Sequence, residues 1–357
     1  MKRRWKVLLG TGGILLVAAL APIVTIETAC RSPIAGLDTA GYTPLLKDPA
    51  WRRDESRTWL TYPEWHIVYS AESFAAHLRH APPSSYHYLR DIRSFWSGYC
   101  AMNQAAAGRA GVDARVMLYT IGLSYSAELL VKALYENTVG RVSEWLGGWH
   151  SADDRYAAGV QARYGAFMHE TPWYEFPFGQ AFSGLWQTSE SHEKFRHWER
   201  RLALSSEYGV KAGYAKLIGW ASGASLGRDE HSLRFVAHGT ADAIARKDPR
   251  LKAVGTIGTD LVVVEAPRYA EFTDLLQKLA ASGTRLVEIS GNDDIFLTLL
   301  LPPNVEPPGP GAHLFTMPID EPTGWRRVAL STKVSDLPEV LGTTRQIGGR
   351  VEHVYDY

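Results

Sequence analysis

Glu64 and His66 lie two residues apart in the run Thr61-Tyr62-Pro63-Glu64-Trp65-His66-Ile67-Val68-Tyr69, where two ionisable groups are set among bulky apolar neighbours. A carboxyl or imidazole taken out of water shifts towards its neutral form, and such groups can move protons or orient a ligand. Glu128 is a third candidate, in a polar ladder of Ser124, Glu128, Lys132 and Glu136 spaced by four. If these groups face a common interior, they gate a pocket. The plainer and stronger reading is that Glu64 caps its helix and Glu128 pairs with Lys132 one turn on.

Metal chemistry has weaker signals. Glu193 and His197 are four apart on one helical face, with Glu190 three before Glu193, so the three could converge on an ion. Lys194, Arg196 and Glu199 are interspersed, which favours a solvated face. His77 and His80 flank Arg79 just before a Pro-Pro break and read as surface. Gly223-Ala224-Ser225-Leu226-Gly227 matches G-x-S-x-G, but a nucleophile elbow needs a strand before it and a helix after it. The residues before it have helical spacing, and Asp229 and His231 follow too closely. The sequence has no H-E-x-x-H, C-x-x-C, calcium loop, dinucleotide fingerprint or phosphate loop, so no cofactor is expected.

With 38 basic and 38 acidic residues in 357, the formal charge is near zero, which argues against nucleic acid as a partner. Two cysteines, Cys30 and Cys100, speak against a disulfide framework. Cys100 reads as a small buried hydrophobe.

The elements that would position these residues begin with Val7–Ile26. Twenty residues without an ionisable side chain follow Lys2, Arg3, Arg4 and Lys6. As a helix this stretch would be about 30 Å long, a bilayer core. A retained signal-anchor is favoured over cleavage or a lipidated Cys30, because the residues near Ala29 suit neither processing site. The basic start places the N-terminus in the cytoplasm and the body on the outer side, periplasmic if the source is bacterial.

Residues 31–60, rich in Pro and Gly, read as a linker or strap. Thr61 and Ser151, each with an acidic residue three later, read as capping boxes opening helices. Tyr88, Ile92, Phe95, Tyr99 and Met102 form a helical stripe, and a long helix is expected from Val112 to Leu146. The aromatic-rich stretch 173–186 reads as a packed loop or one at a bilayer surface. Helical spacing resumes from Ser191 to Ser222, divided or bent at Gly209 and Gly213.

After Pro249 the chain reads as strand, strand, helix, strand, strand, strand, strand, helix, strand. That order suits one antiparallel sheet with two helices on one face. The expected fold class is therefore α+β: an N-terminal transmembrane helix (1–30), a linker (31–60), an all-α helical bundle (61–248) and a C-terminal ferredoxin-like α+β sandwich (249–357). Function follows from that frame: a membrane-anchored accessory or assembly protein, with membrane lipid and a protein partner or self-association. The alternative is an envelope enzyme or apolar-ligand-binding protein with a pocket in the bundle, near Glu64, His66 or Glu128.

Overall fold

A computed structural model describes residues 20–31, 41–53, 61–106, 111–189, 193–222, 232–320 and 322–355. Helix α1 occupies 20–29. A helical domain follows: α2 (Tyr62–His77), α3 (Tyr88–Ala105), α4 (Val112–Tyr135), a π-helical turn (Glu136–Gly140), α5 (Arg141–Gly147), α6 (Ala152–Phe167), α7 (Phe178–Leu185) and α8 (Lys194–Ser222). The second domain runs β1 (Ser232–His238), α9 (Ala241–Ala245), β2 (Lys252–Ile257), β3 (Leu261–Pro267), α10 (Tyr269–Ala281), β4 (Leu286–Ile289), β5 (Asp294–Leu301), β6 (Ala312–Pro318), β7 (Arg326–Lys333), α11 (Leu337–Gln346) and β8 (Arg350–Tyr355).

The helical domain is an internal duplication. Helix α2, the 3-10 turn Pro83–Ser85 and the start of α3 recur ninety residues later as α6, the turn Trp173–Glu175 and the start of α7. The last helix of each half carries the same pattern: Ser126-Ala-Glu128-Leu-Leu-Val-Lys132-Ala-Leu-Tyr135 matches Ser205-Ser-Glu207-Tyr-Gly-Val-Lys211-Ala-Gly-Tyr214 at six of ten positions. Equivalent bonds accompany it, since Trp96 Nε1 donates to Ser126 Oγ at 3.0 Å and Trp186 Nε1 to Ser205 Oγ at 3.0 Å. The register changes from ninety to seventy-nine because α7 is shorter than α3. Helices α2 and α6 pack on each other at the centre, where Gln161 Nε2 donates to the Ala71 carbonyl at 3.1 Å.

Local expectations are partly revised. Ser151 and Asp154 form a reciprocal capping box, but Thr61 makes no side-chain cap and Glu64 is released from that role. Residues 173–186 are not a loop: a 3-10 turn leads into α7, whose Phe178, Ala181 and Leu185 are buried. Helix α8 runs unbroken through Gly209 and Gly213.

The second domain corrects the expectation of a ferredoxin-like sandwich. Its strands form two four-stranded antiparallel sheets, ordered β2-β3-β1-β4 and β6-β7-β5-β8. Strand β1, which lies before the expected start at 249, pairs with both β3 and β4; β5 pairs with both β7 and β8. Apart from the short α9 after β1, each sheet is thus three strands, a helix and a fourth strand, with the first strand between the third and fourth. The order of elements along a chain does not say whether β5 extends the first sheet or founds a second. Side chains from both sheets join those of α10 and α11 in one apolar core, including Phe235, Val264, Leu276, Leu297, Leu330 and Val340. The opposite face of the second sheet carries the helical domain: Tyr62 packs on Phe315, and Trp65 stacks on His353 with centroids 3.8 Å apart. Gly98 allows this docking, because a Cβ there would stand 2.5 Å from the Tyr62 ring.

Residues 41–53, within the stretch expected as a linker or strap, lie against the first sheet. Glu288, fully buried, accepts hydrogen bonds from Tyr42 Oη (2.8 Å) and the backbone N–H groups of Leu45 and Leu46, and Arg234 lies 3.8 Å from the Trp51 ring.

The membrane expectation is overturned. Among the described residues no helix is long and apolar enough to cross a membrane. Residues 7–19 of the expected span lie outside the described residues, and Ile26 at its end faces protein. Ile26 and Cys30 are 2% and 1% exposed within the cluster that holds Tyr99, Met102 and Leu118. Glu27 accepts from Tyr119 Oη at 2.6 Å and pairs with Arg115 at 3.1 Å. A side chain so enclosed has no lipid contact to offer. The transmembrane anchor is corrected on this finding, together with the single-pass topology, the cytoplasmic N-terminus, the extracytoplasmic or periplasmic body and the lipid partner. The two cysteines are also corrected: Cys30 and Cys100 form a disulfide that ties α1 to α3.

Candidate functional site

On α2, His66, Ser70 and Phe74 recur every four residues and face α4. His66 meets the Tyr125 ring edge-on, Ser70 Oγ accepts from Tyr125 Oη at 2.7 Å, and the Lys132 ammonium lies 5.4 Å from the Phe74 ring centre. The His66 ring is buried; its Nε2 donates to the Asp91 carbonyl at 3.2 Å, and Nδ1 has no hydrogen-bond partner among the described residues. Burial, reinforced by the Arg327 charge, holds its pKa down to about 3, so the ring is neutral. Glu64 lies about 200° around α2 from His66. It has no ion-pair partner among the described residues, and burial alone pushes its carboxyl up to about 7.

Glu128 belongs to a different group. Lys132 Nζ lies 3.3 Å from it and Lys211 Nζ 2.9 Å, while Glu207 lies 2.7 Å from Lys132 and 3.4 Å from Lys211. Burial raises the Glu128 pKa, but the two ammonium groups outweigh it and hold the carboxyl at about 2. The Glu128 side chain keeps 42% of its surface accessible, so the quartet meets water on that side. Glu64, His66 and Glu128 are not brought together, and none of them lines the cavity described below.

The metal candidates separate as well. Glu190 lies outside the described residues, as do Ser225, Asp229 and His231. Glu193 precedes α8 on the surface, whereas His197 is buried with Nδ1 at 2.5 Å from Asp153 Oδ2. No group of three His, Cys, Asp or Glu suited to a metal occurs among the described residues.

Sequence reading missed a larger buried network next to His197. Arg196, fully enclosed, grips Asp154 through Nη2 (2.7 Å) and Nε (3.3 Å) and reaches Glu199 at 3.2 Å. Arg200 grips Glu136 through Nη1 (2.9 Å) and Nη2 (3.2 Å) and also pairs with Glu199. Burial raises Glu136 above the usual carboxylate range; at Glu199 the Arg200 contact and the donors Tyr135 and Ser143 overcome burial and lower it. The i,i+4 spacing of Arg196 with Arg200 was a signal, read as a solvated face because partners on other elements were not visible.

Between this network and the quartet lies a cavity of about 330 Å³. Its apolar lining includes Phe74, Leu78, Tyr88 and Leu204, and its charged lining includes Lys132, Glu136, Arg200 and Glu207. The duplication shows why it exists. In the second half Lys211 lies over the Tyr164 and Phe178 rings, and Val68 of α2 packs into that cluster. In the first half the corresponding wall, on α6, carries Ala157 and Ala158 where α2 carries Ile67 and Val68, and the space stays open. Inside, Lys132 is matched by Glu128 and Glu207, Arg200 by Glu136 and Glu199, and Asp154 by Arg196. At the rim Arg79 and Arg155 are exposed and have no carboxylate partner among the described residues; Arg155 Nη1 donates to the His150 carbonyl.

This arrangement can hold a ligand with an apolar body and an anionic end. The membrane-anchored accessory role loses its basis with the anchor, and the pocket is polar-lipped rather than one for a purely apolar ligand. No family model, curated protein or solved structure matches the chain.

Proposed function

We propose that the helical domain binds a small amphipathic anion, a carboxylate or phosphate ester with a compact apolar body, in the cavity between α2, α4, α6 and α8. The observation that carries this reading is the mismatch between interior and rim. Interior ions are paired one to another, whereas two guanidinium groups at the mouth, Arg79 and Arg155, lack carboxylate partners among the described residues. Guanidinium favours carboxylate and phosphate because its planar N–H fork matches their paired oxygens. The volume lies at the lower end of the range for small-molecule sites.

Titration calorimetry of the full chain with hexanoate, phenylacetate and phenyl phosphate tests the reading. Binding should weaken about tenfold or more in R79Q/R155Q, the loss of two charge-assisted contacts. It should vanish in A158L, which fills the cavity. Absence of binding by the unaltered chain at millimolar ligand overturns the proposal, as does affinity unchanged in R79Q/R155Q.

A further inference from the structure

Apart from Glu128, the outer faces of α4 and α8 direct no charged side chain to solvent along much of their length. Between Arg115 and Arg141 the charged residues are Glu128, Lys132 and Glu136, and between Arg201 and Lys216 they are Glu207 and Lys211. All five belong to the quartet or to the Arg200 network. What faces outward is apolar: sixteen large apolar side chains of α4, the π-turn, α5 and α8 are exposed, Val131 at 68% and Val210 at 72% among them. Spread over these four elements at roughly 90 Å² each they total about 1,400 Å², so little more than half of them together would supply the ~800 Å² per partner of a stable dimer.

The register of the duplication says what fits there. Leu130 and Leu134 on α4, 49% and 70% exposed, stand one turn apart and project from the surface. At the equivalent positions on α8 the chain has Gly209 and Gly213, and a Cβ at either would meet nothing within 4 Å. Two helices of one pattern thus differ in sense, one bearing a pair of knobs and the other a pair of hollows at the same i,i+4 spacing. A two-fold contact between identical surfaces requires that if residue i meets j, then j meets i. The chain's own face meets that requirement when α4 of each copy lies on α8 of the other.

We infer that the α4–α8 face is the interface of a homodimer, in which Leu130 and Leu134 of each copy seat over Gly209 and Gly213 of its partner. Interhelical approach over glycine removes the side chain that would hold the backbones apart, so the leucines are enclosed on both sides.

Sedimentation equilibrium of the full chain tests this, with circular-dichroism melts to establish that each variant is folded. The unaltered chain should dimerise. G209L/G213L fills the hollows and L130A/L134A removes the knobs; each should raise the dimer dissociation constant about thirtyfold or more at unchanged secondary structure. The exchange variant L130A/L134A/G209L/G213L, with knobs and hollows traded, should dimerise again. A monomeric unaltered chain at about 100 μM, where a dimer of ordinary affinity is populated, overturns the inference. So does a folded G209L/G213L that associates like the unaltered chain, a folded exchange variant that stays monomeric, or association seen only on lipid vesicles.

Discussion

Lys132 and Lys211 hold equivalent places in the two halves of the helical domain, and each completes the other half. Lys132 lies over Phe74 and Lys211 over Tyr164, residues ninety apart on α2 and α6. Each then crosses to the opposite half, Lys132 to Glu207 at 2.7 Å and Lys211 to Glu128 at 2.9 Å. An i,i+4 pair within one helix has thereby become a reciprocal lock between two. Two members of the lock, Lys132 and Glu207, also line the cavity, so duplication, packing and binding meet at these two side chains.

Removing one lysine should cost more than a surface ion pair does. K211M leaves Glu128 and Glu207 with Lys132 alone, and because Lys211 is 14% exposed the loss should approach the buried-pair range. We expect about 2–3 kcal/mol in urea unfolding, below the full 3–5 because Glu128 is solvated. The second substitution in K211M/E128Q should restore part of it. A double-mutant coupling energy near zero would show that the two groups do not interact in solution.

Stability against pH should reveal Glu64. Its folded pKa, about 7 against 4.5 for the ordinary carboxyl, means that the native chain holds an extra proton between those values. The contribution is complete below about pH 4.5 and is lost as pH rises through 7, up to about 3 kcal/mol. His66 and His353, both held down to about 3 by burial, act in the other direction, and stability is lost as pH falls below 6.5. In E64Q the histidine contribution is no longer offset by Glu64: the variant should be more stable than the unaltered chain at pH 8 and lose more stability than it does between pH 7 and 4. Melting temperatures across that range decide it, and identical profiles for both proteins would contradict burial of the carboxyl.

The disulfide makes the N-terminal segment sensitive to reductant. Cys30 and Cys100 close a loop across seventy positions, and a cross-link of that length restricts the unfolded chain by about 4 kcal/mol in the entropic account. C30S/C100S should lower stability by about 2–4 kcal/mol and free α1, so that limited proteolysis cuts near Arg31 sooner. An unchanged urea midpoint, with α1 equally protected, would assign the docking to Ile26 and Glu27 alone.

Much of the local structure was legible. The stripe of Tyr88, Phe95, Tyr99 and Met102 is buried on α3, and Ser151 with Asp154 caps α6 as their spacing implied. The Glu128–Lys132 pair is present at 3.3 Å. The site was not legible in the same way. Lys211 and Glu207 fall in the stretch expected to be helical, where the repeated Ser, Glu, Val, Lys, Ala and Tyr spacing was a signal of duplication. His197 was set with Glu193 because they share a helical face, but its partner is Asp153, forty-four residues away.

By itself the sequence determined which stretches coil or extend and which of their faces are apolar, since backbone preference and side-chain period act over a few neighbouring residues. Tertiary structure alone decided that Ile26 ends in protein rather than lipid, that Cys30 meets Cys100, that eight strands divide into two sheets, and that two lysines trade partners across a duplicated bundle. Those outcomes are contacts between residues far apart along the chain, and their selection depends on how whole faces fit one another, a property no local window contains.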